Sequence, residues 1–391
     1  MQAPLRAAIL RFKSHQVERY IARAAQARSI QQRVLLEKIS RNASSDFGRR
    51  HGFSSIHDVA SFRDQIPISD YEVYRPYIDR VMRGDIEAMF ARGTRVLMFA
   101  MTSGTTSAPK QLPVTNTFYR EYRRSWQLWG TGVFRDHPSL LHRQTLQLSS
   151  DWQLEESTSG VPCGNISGLA ATSRPFYMKR IFALPACVIK IRDFAAKHYT
   201  SLRLSMASDN VGMLITANPS TLVEFARRSN RQAESIIRDI HDGGVTSTMD
   251  IPTAVRDQLR PRLRPNPSRA RELDALLARR GALLPQDFWP HLELIATWTG
   301  GSVGVYLPQL EQYYGDVAIR DHGMSASEGR MSIPFANDTP DGILDFAHHF
   351  FEFIPEEEYE KSNPTVLEAH ELQPDRNYFI LLTTSGGLYR Y

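Results

Sequence analysis

An α/β fold, with mixed sheets flanked by helices, is the architecture that three stretches of this 391-residue sequence predict. Val211–Ala217 is an apolar run of strand length. Asn218-Pro219-Ser220 follows it, offering an N-cap and a proline at the first helical position. Leu222, Phe225 and Ala226 then recur at helical spacing, so strand, tight turn and helix come in the order of an α/β layer. Leu292–Trp298 is a second strand, ending in Thr299-Gly300-Gly301-Ser302, where paired glycines let a backbone or flat ligand approach closely. Val317–Arg320 is a third, running into the small-residue loop His322–Gly329. Ligands of open α/β sheets bind beyond the carboxyl ends of the strands, so these loops are candidates to converge on one.

The remaining elements follow in chain order. The first forty residues read as helix, with Val17, Ile21 and Ala24, then Ile30, Val34, Leu35 and Ile39 at helical spacing. Asn42–Gly48 is rich in turn formers and ends this region. Asp58–Phe62 reads as a short helix, and Ile66–Tyr71 as an extended lead into a capped one that closes at Gly84. Val96–Met101 is an apolar strand. Asn116–Trp129 is helical in pattern, placed to aim its positive dipole end at whatever binds just before it. Residues 136–175 lack periodicity and read as connecting structure, with a substrate-facing loop as the other use of their Ser, Gly and Pro. The basic stretch Arg256–Arg280 reads as a solvated loop and helix, since aromatics for base stacking are missing. Leu307–Tyr314 is a helix. Phe350–Pro355 and Tyr378–Thr384 are late strands, and Ser385-Gly386-Gly387 turns the chain into Leu388–Tyr391.

Composition sets the class. The formal charge of +5 suits an anionic substrate and is too small to argue for nucleic acid. Cys163 and Cys187 make neither a disulfide framework nor a zinc site, which fits a reducing, cytoplasmic setting. No apolar run approaches the ~20 residues of a membrane span, so neither a membrane nor a nucleic-acid partner is expected.

The stretch that carries chemistry is Thr102–Lys110. Thr102, Ser103, Gly104, Thr105 and Thr106 follow a strand directly, and Lys110 closes the segment. Hydroxyls and free backbone N–H groups can wrap phosphate oxygens, and Gly104 allows the turn. The Walker order is absent, and a plain polar turn is the competing reading. Glu328, in a loop of small residues, is a carboxylate that can hold Mg²⁺ while phosphates and water complete the shell; a surface or capping glutamate is the alternative. His322 reads as a neutral, hydrogen-bonded histidine, because no nucleophile stands in a triad-like relation to it. His348-His349 and Glu356–Glu358 lack metal spacing, and Ser103 lacks a nucleophile-elbow frame.

In family order, three segments resemble the signatures of the GH3 acyl-acid amido synthetases of bacterial type, which are adenylate-forming enzymes. Thr102–Lys110 resembles the phosphate-binding signature. Met324-Ser325-Ala326-Ser327-Glu328 resembles the second, and Gly387-Leu388-Tyr389-Arg390-Tyr391 the opening of the third. Asp46-Phe47-Gly48, His51-Gly52-Phe53, Trp298–Ser302 and Phe351–Pro355 support them. The resemblance implies a large adenylate-forming N-terminal domain over residues 1–391, with residues 1–60 a mainly helical lead-in and a small β-barrel-like part. It implies that the chain stops before the ribose-binding aspartate and the C-terminal cap domain, with amide synthesis reduced accordingly.

The activity implied is ATP-dependent activation of a carboxylic acid as acyl-adenylate, for conjugation to an amine or amino acid. A non-catalytic nucleotide- or acyl-binding module and transfer to a thiol are the alternatives. By the same resemblance Ser103, Thr105 and Thr106 would contact phosphates. Thr105 and Glu328 would be catalytic, with Glu328 holding Mg²⁺. Thr102, Gly104, Lys110, Gly300, Gly301, Met324, Ser325, Ala326 and Ser327 would complete the nucleotide and acyl side. Met324 stands where the family usually carries tyrosine, and a thioether can still pack on a ring face.

Overall fold

A computed structural model describes residues 14–102, 110–173, 181–246 and 248–391. Four parallel strands form its central sheet, in the spatial order Gln144–Gln147, Val211–Ile215, Leu294–Ala296, Ala318–Arg320. Both faces are covered, which explains the apolar runs. Met213, Leu294 and Ala296 pack toward the N-terminal helices, while Leu146, Leu214 and Ile295 pack against helices on the other side. On that second side lie Phe194–Met206, Pro219–Arg231, Ala233–Asp242 and Pro267–Arg280. Asn218 caps Pro219–Arg231 by accepting from the Ser220 amide at 2.9 Å, as its sequence position predicts.

A second, mixed sheet runs Gln111–Thr115, Val96–Met101, Pro162–Gly164, Glu155–Glu156. Val96–Met101 and Gln111–Thr115 pair antiparallel, with Met101 opposite Gln111 and Val96 opposite Thr115. That return strand overturns one expectation. Helix Asn116–Asp136 starts at Thr115, which pairs with Val96 at the far end of the hairpin. At about 3.4 Å per residue, its N-terminus lies roughly 14 Å from Gln111 at the other end of the paired strands, too far for its dipole to serve a ligand bound there.

The late strands Leu367–Glu368, Phe350–Pro355 and Tyr378–Thr383 form an open three-stranded antiparallel sheet. Among the described residues no sheet closes into a barrel. Leu388–Tyr391 folds back along Tyr378–Thr383: Leu382 and Tyr391 exchange backbone bonds at 2.9 and 3.0 Å, and Gly387 makes the turn at φ +89°. The N-terminal region is helical from residue 14, including Ala27–Asn42. The turn formers at 42–48 do not all stay in a turn, however. Ser45 caps a short helix, Asp46–Arg50, by accepting from the Gly48 amide at 3.0 Å. Asp58 and Ser61 form a capping box for Val59–Gln65, and Asp70 caps Tyr71–Met82. In the basic stretch, helices Thr253–Leu259 and Pro267–Arg280 bury Val255, Leu259, Ala270 and Leu273, and Arg269 turns inward to the Met206 and Phe288 carbonyls, while most of their other charged residues stay exposed. No described helix is long and apolar enough to cross a membrane.

Candidate functional site

The three signature segments, far apart in sequence, meet at one phenol. The Lys110 ammonium donates to the Tyr391 hydroxyl at 3.0 Å, and that hydroxyl donates to Glu328 Oε1 at 3.1 Å. Lys110 closes the hairpin that carries the phosphate-loop candidate: the Thr102 amide donates to the Lys110 carbonyl at 3.1 Å, and the Lys110 amide to Thr102 Oγ1 at 3.3 Å. Ser103, Gly104, Thr105 and Thr106 lie outside the described residues. Burial, reinforced by the adjacent Glu328 carboxylate, raises the Tyr391 phenol well above its ordinary pKa, so it stays protonated and keeps donating.

Tyr391 is held by the segment it ends. Tyr389 is buried, stacked on Phe47 at 5.4 Å between ring centroids and edge-on to Phe53 at 4.8 Å. Its hydroxyl accepts from the Asn42 amide at 2.8 Å, and its carbonyl accepts from the Tyr74 hydroxyl. Thus the Asp46-Phe47-Gly48 and His51-Gly52-Phe53 segments form the socket for the third signature. Arg390, at φ +49°, donates to Glu352 at 3.0 Å and to the Ile66 carbonyl at 2.7 Å; Arg63 donates to the other Glu352 oxygen at 2.8 Å.

Glu328 sits on a tip. Ser325–Ala326 pairs antiparallel with Gly329–Arg330, leaving Ser327 and Glu328 as the two-residue turn of a small hairpin. Sequence reading had this as an open loop; two-residue strands are too short to show a period of two. Met324 at its base is 57% exposed, and its carbonyl accepts from the Met331 amide at 2.8 Å. The exposed thioether is free to pack against a ring face.

The neighbouring strand-end loops are joined as the fold class predicts. Asp321, directly after Ala318–Arg320, accepts from the Thr299 amide and hydroxyl, both at 2.6 Å, and from the Gly323 amide. The Trp298 indole donates to the Gly323 carbonyl at 3.1 Å. Gly300 and Gly301 follow in this clamp, Gly301 at φ +65°, where only glycine is unstrained. Behind it, His322 lies edge-on between Trp126 and Trp129, and Arg330 stacks on Trp126 at 4.2 Å. Burial, then the Arg330 charge, pushes His322 down to about 3, so it is neutral as expected. Its Nε2 makes no hydrogen bond, contrary to the hydrogen-bonded histidine expected from sequence.

Sequence reasoning missed Tyr391 as the junction, the Asp321 clamp and the indole wall. Asp321 was within reach, as a carboxylate at a strand end. Trp126 and Trp129 were too, three apart on one helix. Tyr391 was not, because its partners lie 281 and 63 residues away.

A turn carboxylate joined through Tyr391 to Lys110, and strand-end loops at the carboxyl edge of a parallel sheet, are the features of an α/β protein of the kind that takes ligands at that edge. The chain belongs to the GH3 family. Its N-terminal domain matches residues 16–319 and its central domain residues 342–391. A jasmonoyl–L-amino acid synthetase of Nicotiana attenuata is 24% identical over 96% of this chain and 67% of its own length. A probable indole-3-acetic acid-amido synthetase of Oryza sativa is 24% identical over 93% and 65%. The chain therefore spans about two thirds of the length of these relatives. The solved structure of a GH3 acyl acid amido synthetase superposes with TM-score 0.84 at 20% identity, over 96% of this chain and 66% of that one, which establishes the shared fold.

Proposed function

We propose that this chain activates a carboxylic acid with ATP, forming an acyl-adenylate and pyrophosphate, and that an amine or amino acid then takes the acyl group as an amide. Residues 1–391 are read as the adenylating part. The observation that carries the reading is the hydrogen-bonded line Lys110–Tyr391–Glu328, which brings the three signature segments to one place. The relatives named above are amido synthetases, and their printed names supply the reaction class.

Each group has a physical task in this reading. Lys110 and the hydroxyls of Ser103, Thr105 and Thr106 would stabilise the negative charge that grows on phosphate oxygens as the carboxylate attacks the α-phosphorus. Glu328 is a partly exposed carboxylate at a turn, with one oxygen on Tyr391, which suits a cation shared with phosphates; Mg²⁺ held there would neutralise phosphate charge. Tyr391 fixes the Glu328 rotamer and the position of Lys110. Gly300, Gly301, Met324, Ser325, Ala326 and Ser327 leave a low, open rim for the base and the acid. No protein nucleophile is required, in keeping with a neutral His322 enclosed by tryptophans. The two free thiols fit a cytoplasmic setting.

The test is acid-dependent exchange of labelled pyrophosphate into ATP, with Mg²⁺ present. The expected result is exchange with at least one of a panel of aromatic and aliphatic acids, lost in Glu328→Ala. Tight ATP binding without exchange for any acid would leave a nucleotide-binding module and end the ligase reading.

A further inference from the structure

The far face of the parallel sheet holds a cavity that the Lys110–Tyr391–Glu328 line does not enter. Its volume is about 160 Å³, and it lies beyond the carboxyl ends of Gln144–Gln147 and Val211–Ile215, under helix Phe194–Met206. Thr216 lines it; two residues after Leu214, it points to the face opposite the indole wall. Leu184 and Val188 supply apolar walls.

Three polar groups line this space without satisfied partners. The Lys197 ammonium makes no ion pair among the described residues, and burial lowers its pKa. His198 is 4% exposed, and its Nδ1 has no hydrogen-bond partner. Ser149 Oγ is likewise buried and unpartnered. Buried polar atoms are nearly always paired, so two orphans beside an unpaired ammonium in one cavity ask for a ligand. Burial, with the Arg228 charge, pushes His198 down to about 4, so the imidazole is neutral and can donate or accept. The carboxylates whose charge reaches these groups are Asp151, engaged by Lys190 at 2.9 Å, and Glu224, paired with Arg231 at 2.7 Å.

We infer that this cavity binds a compact carboxylate, its two oxygens on Lys197 and on His198 or Ser149, its apolar body between Leu184 and Val188. The size agrees: an engineered apolar cavity of about 150 Å³ accepts benzene, so a carboxylate of about six heavy atoms fits. Apolar walls favour it over inorganic phosphate. The carboxylate can come from a simple acid or from an amino acid. This inference does not depend on adenylation, and its test uses no ATP.

The experiment is binding of butanoate, alanine and inorganic phosphate to the full chain, by saturation-transfer NMR and calorimetry, for the native protein, Lys197→Met and Lys197→Arg. Butanoate is expected to bind, tenfold or more weakly to Lys197→Met and within threefold to Lys197→Arg. Alanine binding alongside butanoate with the same Lys197 dependence assigns the site to an amino acid; butanoate alone assigns it to a simple acid. Should Lys197→Met fail to fold, Ser149→Leu fills the cavity from another element and is expected to remove binding. The inference is overturned if neither carboxylate binds, if phosphate alone binds, or if the substitution at Lys197, or Ser149→Leu in its place, leaves the Kd unchanged.

Discussion

Two signature segments meet at Glu328 and Tyr391, and they are built in opposite ways. Gly387–Tyr391 is enclosed: four of its five residues lie beneath the N-terminal helices and the late sheet, fixed by aromatic stacking and a Glu352 carboxylate shared by two arginines. Ser325–Glu328 is the end of a two-strand hairpin, partly or fully exposed throughout. The contrast teaches that the site is half socket and half tip. Rigidity lies where nothing is bound and freedom lies where ligand contact is proposed, as expected of functional loops on a stable scaffold.

The largest effect should come from the socket. Glu352→Ala leaves Arg390 and Arg63 facing a buried void, and removing one partner of such a network costs about 4 kcal/mol. Urea denaturation should show that loss; a change below about 1 kcal/mol would mean the socket is not what holds the segment.

Next is acid. His322, His198 and His349 are pushed down to about 3, 4 and 4, in each case chiefly by burial. Their folded values lie below the unfolded value of about 6.5, so the unfolded chain binds more protons once pH falls below that. The stability they allow is therefore complete above about pH 6.5 and lost on acidification, by about 2 kcal/mol each at pH 5. Unfolding midpoints at pH 7.5 and 5.0 should show this decline, smaller by about that amount in His322→Gln.

The smallest stability effect belongs to the tip. Glu328→Gln should change unfolding free energy by no more than about 0.5 kcal/mol, while pyrophosphate exchange falls about 100-fold or more. A large stability loss there would erase the distinction between socket and tip.

How legible all this was depends on the range of the forces involved. Val96–Met101 and Phe350–Pro355 were read with their observed boundaries, because uninterrupted apolar runs report burial on both faces. Asp58, Asp70 and Asn218-Pro219 marked helix starts, because capping is local chemistry. Gln144–Gln147 was missed inside the stretch read as connecting structure. It is a four-residue edge strand with glutamine at both ends, so it shows neither an apolar run nor clean alternation. The return strand Gln111–Thr115 was missed as well, and with it the true placing of the next helix, since Pro113 interrupts its pattern. Lys110 and Glu328 were singled out by their residue types and loops, but periodicity alone would not have joined them.

A single oxygen, that of Tyr391, accepts a hydrogen bond from an ammonium and donates one to a carboxylate. Opposite charges are thereby kept one atom apart without touching. An anion that pulls the lysine toward itself strips the phenol of its donor and leaves the glutamate with more unshielded charge, readier to seize a cation. In the proposed function, phosphate at the Lys110 end of the relay would then tighten the grip on metal at the Glu328 end, with no movement of the backbone required.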